Sequence, residues 1–129
     1  MKTLEIMNSK NYFFDSYAII EIIKGNENYE FACDLAMITS PMNLAEVYYA
    51  LLLLYNKETV DKILKNLNFQ FLEITPETSK NSAIFRYQNK KLNLSYIDCV
   101  GYTLAINNDL LFLTGDKGFE KFDNVEFVK

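Results

Sequence analysis

The chain has 129 residues, half of them hydrophobic and 15% aromatic, enough to bury a core without staples and too apolar for a disordered chain. Its net charge of −4 is no footprint for sequence-independent nucleic-acid binding. Histidine is absent, which excludes Ser–His–Asp and Cys–His catalysis, histidine-based zinc sites and histidine acid–base cleavage of RNA.

Any chemistry must therefore run on carboxylates, hydroxyls, thiols, lysines or a borrowed metal. The two cysteines, Cys33 and Cys99, lie far apart in sequence and read as reduced thiols, with Cys99 a small buried residue. The first residues lack the apolar core of a signal peptide. The most apolar run, "AEVYYALLLLY", is 11 residues long and contains Glu46, against the roughly 20 that a membrane span needs. A cytoplasmic protein with no membrane partner is expected.

Residues 1–10 fit no element and read as a loose N-terminal extension; 11–129 read as one domain. "NYFFD" is a short β run, followed by the helix "SYAIIEIIKG", closed by Gly25. A second short helix is expected over Tyr29 to Asp34. "AMITS" is the next strand, ended by Pro41. The helix "NLAEVYYALLLLY" is apolar nearly all round, and so core, an interface between copies, or part of a partner's groove. "KETVDKILKNL" sets Val60, Ile63, Leu64 and Leu67 at helical spacing. "FQFLEI" alternates as a strand, and "TPETSKNSAIFRYQNKK" opens with Pro76 in the first turn of a helix. "SYIDCVGYTLAINND" is another helix, "LLFLT" and "VEFV" the last strands. Strands alternating with helices predict an α/β layer fold with a mostly parallel sheet.

Four carboxylates stand where such a sheet builds sites. Asp15 and Asp116 follow strands; Glu46 and Asp98 are expected in the first turns of helices. Each has a local explanation. Asp15 fits an N-cap, Asn43 to Glu46 and Ser95 to Asp98 fit capping boxes, and Asp116 fits a turn. Together they would converge on the crevice at the carboxyl edge of the sheet. Two carboxylates about 4 Å apart repel by on the order of 4 kcal/mol at an effective dielectric near 20. A hard divalent cation such as Mg²⁺ or Mn²⁺ removes that penalty, and such an ion suits chemistry at phosphate.

At these residues the sequence resembles PIN-domain ribonucleases, most closely the toxin subunit of the VapBC toxin–antitoxin type. The resemblance runs from Asn11 to Lys129. It rests on "FFDSYAII", "NLAEVYYAL", "SYIDCVGYTLA" with Ala105, and "LTGDKGF" with Thr114 and Phe119 around Asp116. It implies a three-layer α/β fold with a mostly parallel five-stranded sheet flanked by helices. It also implies a catalytic metal site of Asp15, Glu46, Asp98 and Asp116 for Mg²⁺ or Mn²⁺, with Ser16 and Thr114 as supporting hydroxyls. The implied reaction is endonucleolytic hydrolysis of RNA by a metal-activated water, and the implied partners are an RNA substrate, an antitoxin and a second copy of the chain. Gly118 replaces an acidic residue of many relatives, which implies one tightly held ion and a second arriving with substrate.

From Lys80 to Ile97 the chain carries Lys80, Arg86, Lys90 and Lys91 and no acidic residue. On charge alone a solvated helix face is the favoured account of this strip, and Arg86, Lys90 and Lys91 are candidates for holding the RNA backbone. Tyr48, Tyr49 and Tyr96 lie near the motifs and suit base stacking, with core packing expected for at least two. Two other functions stay in play, and a third is disfavoured by the sequence. An RNA-processing PIN nuclease without an antitoxin would share the chemistry, and a non-catalytic PIN-like binding module would keep only the fold. A phospho-acceptor receiver domain would need an acidic pair after the first strand, where this chain has Tyr12-Phe13-Phe14-Asp15.

Overall fold

The computed structural model of the protein describes residues 11–129, so the extension expected over 1–10 lies outside the described residues. Five short strands form one sheet: β1 (Tyr12–Phe14), β2 (Met37–Thr39), β3 (Phe69–Phe71), β4 (Leu111–Thr114) and β5 (Val125–Phe127). Their order is β3-β2-β1-β4-β5 and every pairing is parallel. Five α-helices connect them: α1 (Ser16–Ile23), α2 (Pro41–Leu52), α3 (Lys57–Lys65), α4 (Pro76–Gln88) and α5 (Tyr96–Asn107).

The residues of the inner strands β1 and β4 are largely apolar in succession because helices cover both faces, as a parallel sheet requires, whereas the edge strands β3 and β5 carry Gln70 and Glu126 in alternation. Alternate side chains go to opposite layers. Tyr12, Phe14, Met37 and Leu113 pack with Ile19, Val47, Leu51 and Val60 from α1, α2 and α3. Phe13 and Phe112 face the other way, onto Cys99, Leu104 and Ala105 of α5. Gly101 lets α5 lie against the sheet, since a Cβ there would stand 3.0 Å from the Phe13 ring and 3.1 Å from that of Phe112. The result is the expected three-layer fold.

Two local readings need correction. The segment expected to be helical over Tyr29 to Asp34 is a 3₁₀ turn at Glu27–Ala32, begun by the Asn26 side chain accepting from the Asn28 N–H. Pro41 does not merely end the strand before it. It occupies the first turn of α2, with Ser40 as N-cap, so Asn43 is not a cap and Glu46 belongs to the second turn. The missing N–H of proline costs nothing at that position, which is why the helix starts early.

Candidate active site

Going outward from β1, the chain builds β2 and β3 on one side; β4 and β5 then add on the other. Connections from the carboxyl ends of β1 and β4 therefore diverge, and the crevice between them is where an open α/β sheet accepts ligands. Asp15 leaves β1 there, and Thr114 and Asp116 leave β4. A crevice of about 290 Å³ is lined by Asp15, Ser16, Glu46, Asp98 and Asp116, with Tyr17, Ile20 and Ala50 as its apolar wall. The structure thus brings all four predicted carboxylates to one place, and among the described residues no basic side chain lines it.

Asp15 forms the floor and is 3% exposed. It stands at the N-cap position of α1 yet makes no side-chain cap bond, so its local explanation fails. Its Oδ2 accepts from the Thr114 hydroxyl at 2.6 Å, and Oδ1 is buried without a hydrogen-bond partner among the described residues. Burial pushes its pKa up to about 7, the Thr114 hydrogen bond opposes the rise, and the charges of Asp98 and Glu46 add to it. The same Thr114 oxygen accepts from the Asp116 N–H at 3.1 Å, so one hydroxyl ties the first strand exit to the last.

The other carboxylates are each held by one oxygen or none. Asp98 completes a capping box in the first turn of α5, its Oδ2 accepting from the Ser95 N–H at 3.0 Å while its own N–H donates to Ser95 Oγ. Burial, and then the charge of Asp116, raise the Asp98 pKa against the pull of these bonds. Asp116 Oδ1 accepts from the Gly118 N–H at 2.9 Å, the turn role expected of it. For Asp98 and Asp116 the local and the convergent readings are therefore both met. Among the described residues no three carboxylates or thiols are already gathered around one point at ligating distance.

A buried network missed by the sequence reading supports the rim. Asn43 donates from Nδ2 to Ser16 Oγ at 2.9 Å, accepts from the Ser40 hydroxyl at 2.6 Å, and donates its N–H back to Ser40 Oγ at 3.1 Å. It fixes Ser16, at the start of α1, to the start of α2, which carries Glu46. Ser-Pro followed by Asn is the signal that marks this helix start. The apparent capping box from Asn43 to Glu46 hid it.

Arg86, Lys90 and Lys91 do not line the crevice. Arg86 Nε donates to the Leu94 carbonyl at 2.8 Å and its guanidinium lies 4.4 Å from the centre of the Tyr96 ring, bracing the turn before α5. Lys90 and Lys91 are exposed on a 3₁₀ turn at Lys90–Leu92. The tyrosines also differ from expectation. Tyr49 and Tyr96 are exposed rather than core, and Tyr48 is half-buried with its hydroxyl donating to Asp61. Cys99 is fully buried as expected, and burial pushes its thiol up to about 11.

The sequence model of the PIN domain matches residues 12–125. Solved structures share the fold. A toxin–antitoxin complex from Klebsiella pneumoniae superposes with a TM-score of 0.73 at 18% identity, covering 90% of this chain and 96% of that one. VapBC2 from Rickettsia felis, bound to a DNA fragment from its promoter, gives 0.73 at 17% identity, covering 92% and 98%. VapC20 from Mycobacterium tuberculosis, a toxin that cleaves the sarcin–ricin loop, gives 0.75 at 12% identity, covering 92% and 100%. No match was found among curated proteins.

Proposed function

The chain belongs to the PIN domain family, and on that premise we propose that it is a Mg²⁺- or Mn²⁺-dependent endoribonuclease, the toxin of a toxin–antitoxin pair. The observation that carries this reading is the Asp15 carboxylate, buried at the floor of an acidic crevice with Oδ1 unpartnered. A buried carboxylate oxygen with no donor is costly unless a cation meets it. The surrounding donors are all oxygens, the set that Mg²⁺ and Mn²⁺ favour.

Asp15, Glu46 and Asp98 would hold the ion. A divalent ion bound there supplies charge that stabilises the phosphoryl oxygens and makes water more acidic. Thr114 keeps Asp15 oriented, and Asn43 keeps the Ser16 hydroxyl at the rim. Asp116, with Oδ1 fixed by the Gly118 N–H, has Oδ2 left to orient a water and take its proton. Attack by that water on phosphorus breaks the bond to O3′ and leaves 5′-phosphate and 3′-hydroxyl ends.

Asp98 carries two roles that two variants separate. In a calorimetric titration with Mn²⁺, Asp98→Asn should bind at least tenfold more weakly than wild type, about 1.4 kcal/mol. Ser95→Ala should lose about 1 kcal/mol of stability, the worth of a cap, and keep its Mn²⁺ affinity. If Asp98→Asn binds Mn²⁺ as well as wild type does, Asp98 is a cap only and the site reading fails.

The end of α2 bears on assembly. Tyr49 is 66% exposed and, just past the last residue of α2, Leu53 69% and Leu54 68%, large apolar side chains of the kind that protein interfaces cover. The Klebsiella and Rickettsia structures are toxin–antitoxin assemblies, which supports an antitoxin for this chain as well. We assign the apolar end of α2 to pairing between copies. Light scattering should show a dimer that becomes monomeric in Leu53→Glu/Leu54→Glu. A dimer unchanged by both substitutions contradicts that assignment.

A further inference from the structure

Next to the acidic crevice lies a second cavity, of about 450 Å³, which falls in the range of ligand pockets at about 300–1,000 Å³. It opens between the 3₁₀ turn at Lys90–Leu92 and the one at Lys117–Phe119 and is lined by Asn89, Leu92, Lys117, Gly118, Lys121 and Phe122, with Glu120 its one acid. Gly118 is the shared wall, since the N–H that fixes Asp116 Oδ1 belongs to a residue lining this cavity.

We propose that this cavity receives a base of single-stranded RNA beside the scissile phosphate, with Lys117 and Lys121 on the flanking phosphates. This rests on the ribonuclease reading above and extends it to how the substrate is held.

Charge calls for such a place. Four carboxylates repel an RNA backbone, and among the described residues no cationic side chain lines their crevice. Lys117 and Lys121 lie next to it, and neither is ion-paired among the described residues. Lys90 and Lys91 stand on the turn that carries Leu92 but do not line the cavity, Lys90 lying with its Nζ 5.1 Å from the centre of the Tyr87 ring.

The apolar and polar parts suit a base. Phe122 is half-buried and anchored by the rings of Phe85, Tyr102 and Phe119, at centroid distances of 5.2, 5.5 and 5.7 Å. It therefore offers a rigid aromatic surface at little entropic cost, the usual platform for an unstacked base. Leu92, also lining the cavity, adds an apolar side chain that is 47% exposed. Asn89 is oriented by Nδ2 donating to the Phe85 carbonyl at 2.9 Å, which leaves Oδ1 to accept from the edge of a base.

The test is fluorescence anisotropy with a short labelled single-stranded RNA of mixed sequence in metal-free buffer, run beside Mn²⁺ calorimetry and a cleavage assay. Lys117→Ala/Lys121→Ala should bind this RNA about tenfold more weakly and still bind Mn²⁺ as wild type does. The double variant should also flatten the dependence of log affinity on log salt by about 1.4, at about 0.7 for each single-strand phosphate that a lysine no longer neutralises. A strand of equal charge made of abasic nucleotides should bind wild type about tenfold more weakly than the RNA, the worth of stacking one base. Unchanged RNA affinity in the double variant overturns the proposal while cleavage by wild type leaves the nuclease reading standing. Equal affinity for the abasic strand overturns the base pocket. A wild-type chain that neither binds nor cleaves RNA overturns both.

Discussion

Asp15→Asn is expected to stabilise the metal-free protein near neutral pH while abolishing Mn²⁺ binding. Folding encloses this carboxyl, 3% exposed, with one oxygen unpartnered and the charges of Asp98 and Glu46 nearby. Its pKa rises to about 7, so between the ordinary value of 3.8 and about 7 the folded chain keeps a proton that the unfolded chain has released. Stability then falls as pH climbs through that window, because the unfolded state binds fewer protons. The full contribution is present below pH 3.8 and is gone above about 7, for a total of up to about 4 kcal/mol. Asparagine takes the same hydrogen bond from Thr114 and carries no charge to bury. Melting curves in EDTA from pH 4 to pH 8 should therefore diverge, the variant gaining on wild type as pH rises. Mn²⁺ at neutral pH should raise the wild-type Tm and leave the variant unmoved. A variant less stable than wild type at every pH would contradict this account of Asp15.

The second large effect concerns the backbone behind the site. A Cβ on Gly115 would overlap the Tyr17 ring and the Val128 carbonyl oxygen. The ring can rotate only within its packing against the crevice, and the carbonyl is pinned. Val128 N donates to the Thr114 carbonyl at 2.9 Å, and Val128 O accepts from the Tyr29 hydroxyl at 2.6 Å. Gly115→Ala should cost about 3 kcal/mol or more, at the upper end of overpacking. For a chain of this size that lowers Tm by on the order of 10 °C. Because Gly115 separates Thr114 from Asp116, the shift should also displace both from Asp15 and weaken Mn²⁺ binding. Thermal denaturation with calorimetry on the same preparation checks both parts, and a near-neutral Gly115→Ala would contradict the close packing described.

Much of this fold was legible in the sequence because its determinants are local. Phe-Phe runs bounded by turns, Gly25 after a helix and Pro76 at a helix start each act within a few residues. Asp15 and Asp116 stand where the sequence puts them because a strand end fixes them. Glu46 sits one turn further into its helix than expected because Asn43 to Glu46 imitates a capping box, while the true start is set by Ser40 and Pro41. The Asn43 network could not be read off, since its partner Ser16 is distant in sequence and meets it only through the sheet. Charge makes Arg86 a candidate for RNA without deciding it, and a guanidinium near a backbone carbonyl and a tyrosine ring is used locally first. The cavity beside Gly118 was invisible for a related reason. Its two walls, at Asn89 and Phe122, are far apart along the chain, and the motif that reaches it through Lys117 and Gly118 reads only as a turn around Asp116.

The most direct measurement is cleavage of RNA by the purified chain with Mn²⁺, with Mg²⁺ and with EDTA, alongside Asp15→Asn, with the ends of the products identified. The account predicts cleavage with either ion, none in EDTA or in the variant, and products bearing 5′-phosphate and 3′-hydroxyl. Cleavage that persists in EDTA, or products ending in 2′,3′-cyclic phosphate, would show that the four carboxylates do not carry the reaction.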